Sequence, residues 1–246
     1  GELKNRIRAT RGRGLVVALG ELPNGMYGAR GLLARAAAEF AAVKDFERNI
    51  PTVSVVGEIY ARLDPFANDF VVDKLERRGL RVLLAPFSEW LEYTTYTQMQ
   101  RVREGRARTG DHMPTARFTY ALQIGTLNRL YAAMARPLKW GARTSVEDSL
   151  AASAGYIDKQ LTGEAILTLG GPTHEHAHGV IDGVVSVGPH ECMPTKIAEA
   201  QFAHVGEDTG LISLTLAMTG DPVDPEILDR FAFEVKERHA LAPVAA

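Results

Sequence analysis

Residues 174–178 read His-Glu-His-Ala-His, a literal H-E-x-x-H. On a helix this spacing turns two imidazoles to one face, where they can hold zinc, with the intervening glutamate placed to take a proton from a metal-bound water. His174 and His178 are thus candidate zinc ligands and Glu175 a candidate base, which is the chemistry of a zinc hydrolase. The surroundings read differently. Gly170-Gly171-Pro172 precedes the motif and Gly179 follows it, which predicts barely one turn at a solvated loop or helix end. His204 and Glu207 are the positions downstream from which a third ligand could come.

The chain has one cysteine, Cys192, in Gly-Pro-His-Glu-Cys-Met-Pro-Thr-Lys (188–196). A helix is expected to begin near Thr195, so the thiol stands close to a helix N-terminus, where the dipole and free N–H groups favour the thiolate as nucleophile or metal ligand. His190 and Glu191 are close enough in sequence to tune it. A Cys-His-Asn hydrolase would instead draw its histidine from elsewhere in the chain, and a lone cysteine is also an ordinary small core residue. A second phrase, Gly-Glu-Ile-Tyr-Ala-Arg-Leu-Asp-Pro-Phe-Ala-Asn (57–68), offers Glu58, Arg62 and Asn68. Glu58 reads either as a reacting carboxylate or as a helix cap, and Arg62 as half of a surface ion pair. No glycine-rich phosphate loop of the dinucleotide or ATP type stands where it would be needed.

Four apolar, β-branched runs bounded by Gly or Pro must position these groups: 52–57, 81–86, 183–189 and 211–217. Apolar residues are nearly continuous in each, the pattern of strands buried on both faces in a parallel sheet. Helical spacing follows three of them. After the first, Asn68 and Asp69 read as a cap and Gly79 as a stop. After the third, Thr195 is the cap candidate, with Ile197, Ala200, Phe202 and Val205 on or near one face. After the fourth, residues 224–240 repeat the scheme. The fold expected is α/β, a doubly wound, Rossmann-like four-stranded parallel sheet. Its second and third strands are interrupted by a helical insertion at about 90–165, a lid or subdomain over one sheet edge. Residues 1–50 form an N-terminal extension whose amphipathic helix, Ala29–Phe46, is expected to pack across the first strand; residues 51–246 form the α/β domain. Ligands gather at the carboxyl ends of such strands, so Glu58 and the 188–192 turn are the tips of interest, with Glu58 and His190 the candidate catalytic residues.

Composition narrows the field. The chain has 246 residues, 28 basic and 30 acidic side chains and a net charge of −2, which gives no overall nucleic-acid or acidic-membrane footprint. The basic runs Arg8–Gly14 and Arg101–Arg108 read as solvated loops or helix faces. One cysteine excludes an intrachain disulfide and a Cys₄ or Cys₂His₂ metal site. With no apolar run of about 18 residues and no signal-like start, a soluble, cytoplasmic protein with no membrane partner is expected. The opening at Gly1, inside a charged helix-like phrase, reads as an excised piece of a longer chain or as a tag remnant.

Val53–Tyr93, with its Val-Gly-Glu-Ile-Tyr tip and Asp-Pro-Phe-Ala-Asn entry, and Gly183–Leu216, with its Gly-Pro-x-x-Cys-Met-Pro turn, resemble the 2-hydroxyacyl-CoA dehydratase superfamily, which includes the benzoyl-CoA reductase subunits. The nearest likeness is to the C-terminal region of long acyl-CoA dehydratase activase-related proteins, and it covers about residues 30–240. The resemblance implies doubly wound domains of anaerobic metabolism, the first and third strands side by side, and Cys192 as ligand of a [4Fe–4S]-type iron–sulfur cluster that receives an electron from the activase and serves an acyl-CoA substrate. The family uses several cysteines and this chain has one. The remaining ligands would come from activase or dehydratase segments of a longer chain or complex, or from Cys192 of a homodimer partner; otherwise the module is a non-catalytic docking domain.

Overall fold

The structure is a computed structural model that describes Gly20, residues 26–106 and residues 112–241; the basic run Arg8–Gly14 lies outside them. The chain divides into two compact units, one of Gly1–Arg48 with Thr94–Arg143, the other of Asn49–Tyr93 with Thr144–Ala246.

The second unit contains the sheet. Strands β1 (Thr52–Gly57), β2 (Arg81–Leu84), β3 (Gly183–Pro189) and β4 (Ile212–Met218) pair in the order β2-β1-β3-β4, every pair parallel. The doubly wound α/β expectation holds, and β1 and β3 are neighbours, with Gly57 opposite Val187. The chain leaves β1 for one side of the sheet and β3 for the other, so the crevice between their carboxyl ends is the topological switch point. Burial on both faces holds for β1 and β3 alone. The outer strands are half open, with Leu83 and Leu84 exposed on β2, because only the inner pair is flanked by strands on both sides.

Period-two alternation sorts the inner strands. Val53, Val55, Val185 and Val187 join Ile212 and Leu216 of β4 in one core against α3 (Val71–Arg77) and α9 (Pro225–Leu241), which insert Leu75, Leu228, Phe231 and Val235. Ser54, Val56, Val184 and Ser186 face the opposite way, toward α7 (Glu164–Ala177) and α8 (Met193–Thr209). α2 (Ile59–Leu63) is a single turn after β1, and α6 (Val146–Ser153) opens on a capping box between Ser145 and Asp148. Those hydrogen bonds from Ser145 hold the Asp148 carboxyl below the usual range.

Several boundaries differ from the sequence reading. α3 starts at Val71, behind Asp69 and Phe70 in left-handed conformations; Asn68 still works as a cap, its side-chain oxygen accepting from Val71 N at 3.2 Å. α8 starts at Met193, with Cys192 as N-cap and proline in the first turn, where a missing N–H does no harm; Thr195 is buried against Gly188. On that helix Ala198, Phe202 and Val205 are buried, whereas Ala200 is exposed. The largest difference is α7, which runs through Gly170-Gly171-Pro172 for 14 residues. Gly170 is needed for packing: a Cβ there would drive into the Ser149 carbonyl of α6. The glycines that looked like breakers are a contact between two helices.

The first unit is helical: α1 (Ala29–Val43), the later turns of α4 (Ser88–Arg103) and α5 (Met113–Leu138). The main partner of α1 is α5, not β1. Lys44 Nζ donates to the Leu138 carbonyl at 3.2 Å, and Lys44 and Lys139 both stand over the Phe46 ring, 4.9 and 4.7 Å from its centre.

Candidate functional site at the carboxyl edge of the sheet

Gly57 ends β1 at φ +107°, and a Cβ there would overlap the Val187 carbonyl oxygen. Only glycine lets the chain turn this close to β3. Glu58 N then donates to Val187 O at 2.9 Å, clasping the two tips together. The Glu58 carboxylate turns back on its own helix, accepting from Tyr60 N (3.1 Å) and Ala61 N (2.7 Å). Of its two readings from sequence, the geometry displays the cap.

Arg62, one turn on, departs from the surface ion pair expected of it. Its side chain is 2% exposed and donates to Gly57 O (3.2 Å), Pro86 O (3.4 Å) and Glu89 Oε1 (2.6 Å). The guanidinium thus ties the tips of β1 and β2 together through two carbonyls and a carboxylate. Burial pushes the Glu89 carboxyl up, against the pull of Arg62. Glu164, at the first turn of α7, is also raised, chiefly by burial and then by the charge of Glu58. Glu89 and Glu164 were not singled out from sequence. Position just past a strand or at a helix start could have flagged them, but nothing local marks them as neighbours of Arg62.

On β3 the chain passes Gly188 and Pro189 into Glu191, a non-glycine residue at φ +61°. Such backbone is strained for a residue with a Cβ, and here it reverses the chain so that Cys192 can cap α8. Cys192 N donates to Pro189 O at 3.0 Å, Lys196 N to Cys192 O at 2.9 Å, and the half-buried side chain makes no capping bond of its own. His190 is exposed, its Nε2 3.9 Å from Glu191 Oε1. Glu58 and Cys192 therefore follow paired tips of β1 and β3, on either side of the switch point.

The H-E-x-x-H segment lies away from these tips, in the last turns of α7. The helical spacing that zinc chemistry needs is present: the rings of His174 and His178 have their centres 4.1 Å apart and are tilted by 33°. His178 Nδ1 pairs with His174 O at 2.8 Å, and His176 Nδ1 with Ile181 O at 3.1 Å. Glu175 turns inward to hydrogen-bond Thr144 (3.4 Å) and Ser54, and burial with the nearby charge of Glu89 raises its pKa to about 7. His204 pairs with Glu207 on α8 at 3.7 Å. Among the described residues no group of three or more His, Cys, Asp or Glu converges as a metal site.

A [4Fe–4S] cluster takes four protein ligands. With one cysteine in the chain and no converging donor set among the described residues, a single copy does not fit a complete cluster. Among the described residues no helix is long and apolar enough to cross a membrane. No protein-family model, curated protein or solved structure matches the chain.

Proposed function

We propose that the chain is a module of a 2-hydroxyacyl-CoA dehydratase or activase-related protein. In this reading Cys192 is one corner ligand of an iron–sulfur cluster for electron transfer to an acyl-CoA substrate, and the other ligands come from other segments or chains. The observation that carries the reading is the placement of Cys192. It is the half-buried N-cap of a 17-residue helix, set at the switch point by Glu191 in left-handed backbone. Glu58 and Arg62 act in it as framework, one capping α2 and the other binding two strand tips, and His190 is the exposed group left for substrate handling.

The test is iron, sulfide and zinc content with the visible spectrum, on protein reconstituted without oxygen beside Cys192→Ser. Iron and sulfide lost in the variant support the ligand role; iron-free parent protein sinks it. A second reading, a non-catalytic docking domain of the same fold, is favoured by the single thiol and by the Glu58 carboxylate being engaged as a cap. It predicts colourless protein whose Cys192→Ser form binds its partner as the parent does.

A further inference from the structure

The chain leaves the sheet-bearing unit after Tyr93 and re-enters it at Thr144. Both crossings are fastened by carboxylates. On the outgoing side the first turns of α4 carry three polar anchors. Glu89 holds Arg62 Nη2 at 2.6 Å, Glu92 accepts from Val146 N at 3.1 Å, and the Tyr93 hydroxyl accepts from Gly163 N at 3.3 Å. On the returning side Thr144 Oγ1 donates to Glu175 Oε1 at 3.4 Å, and Ser54 of β1 bonds the same carboxyl. Glu92 therefore ties the two crossings to each other, and Glu175 ties the second to the sheet.

The charges at this junction do not balance. Glu89 feels the charge of the fully buried Glu92, and both Glu164 and Glu175 feel that of Glu89. The cation paired among these four is Arg62. Carboxylates gathered in this way resist ionising together, so the cluster keeps a proton that solvated groups would lose. The remaining charges on elements packed against α7 are engaged or turned elsewhere. On α6 Asp148 bonds Ser145 on the side of His174 and His178, and Glu147 is exposed. On α8 Glu199 and Glu207 pair with Lys196 and His204, and Asp208 accepts from Tyr156. β3 contains no titratable side chain. On α7 itself His176 bonds the Ile181 carbonyl and His178 that of His174.

Crowding of this kind is relieved where the hold is weakest. α7 buries every residue from Ala165 to Thr173, whereas the side chains that α4 buries are Glu92 and Tyr93. A segment with few buried apolar contacts opens at lower free energy than the core beside it. We propose that the proton held in this carboxylate cluster is a latch on both crossings: with it, residues 88–93 and 144–146 stay fastened to the sheet, and its loss as pH rises opens them while the sheet remains folded. The latch does not depend on Cys192 or on any cluster of iron.

The experiment is native-state amide hydrogen exchange read by mass spectrometry, in urea below the unfolding transition, at about pH 6 and about pH 8, each rate taken relative to the intrinsic rate at that pH. Amides of 88–93 and 144–146 should exchange through an opening nearly independent of urea and lose about tenfold in protection between the two pH values. Amides of β1 and β3 should instead follow the urea dependence of global unfolding. Glu175→Gln, folded by circular dichroism, should lose most of the acceleration. Thr144→Val, which removes a bond that favours the ionised carboxyl, should move it to higher pH. A urea dependence at 88–93 equal to that of β1 overturns the proposal, because the segment then opens only with the whole unit. So does protection at 88–93 that is constant with pH, or an acceleration that Glu175→Gln leaves intact.

Discussion

Glu89 Oε1 accepts from the Arg62 guanidinium at 2.6 Å, with the arginine 2% and the carboxylate 20% exposed. The pair sits between the ends of β1 and β2 and holds them through Gly57 O and Pro86 O as well. Removing the cation takes a donor from Gly57 O, leaves Pro86 O with Glu89 N alone at 3.3 Å, and leaves a desolvated Glu89 beside Glu164. Arg62→Leu should therefore cost about 3 kcal/mol, measured by urea unfolding. A loss below about 0.5 kcal/mol would mean that water replaces the guanidinium at no cost and that the arginine does not organise the edge.

The titration of Glu175 sets a pH dependence whose sign is fixed. Its pKa is about 7 in the folded chain and near 4.3 when unfolded. Between these values the folded state binds the extra proton, so stability is greatest below about pH 4.3 and falls as pH rises through about 7. The full loss is about 4 kcal/mol. Glu89 and Glu164 are shifted in the same direction, so Glu175→Gln should flatten the decline between pH 5 and 8 without abolishing it. Unfolding curves across that range, in parent and variant, decide the point; parallel profiles would show that Glu175 ionises freely.

Gly57 tests the clasp between the inner strands. With φ at +107° and the Val187 carbonyl where a Cβ would go, Gly57→Ala should cost about 3 kcal/mol or more, well beyond an ordinary Gly→Ala change. Thermal unfolding of this variant beside Gly125→Ala, where the space is open, separates strain from composition. Gly125→Ala should instead stabilise the monomer by about 0.5–1 kcal/mol, since alanine is the better helix former.

The strands were legible because a strand buried on both faces reads as a nearly continuous apolar run, broken inside β1 and β3 only by Ser54 and Ser186. β1 and β3 follow it, and the outer strands could be placed though not recognised as half open. The helical role of Gly170 and Gly171 was illegible, because a glycine that admits a neighbouring helix and one that ends a helix look alike until the neighbour, Ser149, is known. Cys192 was found by being single and near a turn. Arg62, Glu89 and Glu164 come from three strand or helix ends between 27 and 102 positions apart in sequence, and only the sheet order brings their charges together.

Cys192→Ser is the variant on which the proposed function turns, and its effect on folding can be stated in advance. The cysteine side chain makes no capping bond at the start of α8, whereas serine is among the favoured N-cap residues and can accept from the N–H three positions on, that of Thr195, since Pro194 between them has none. The substitution should leave the fold intact and raise stability by about 0.5–1 kcal/mol, read as a higher midpoint in urea with unchanged slope. If the stabilised variant also fails to retain iron and sulfide that the parent holds, the loss belongs to the thiolate and not to a damaged fold. A destabilised variant would instead reveal that the half-buried sulfur packs at the switch point, and would return Cys192 to the ordinary role of a small core residue.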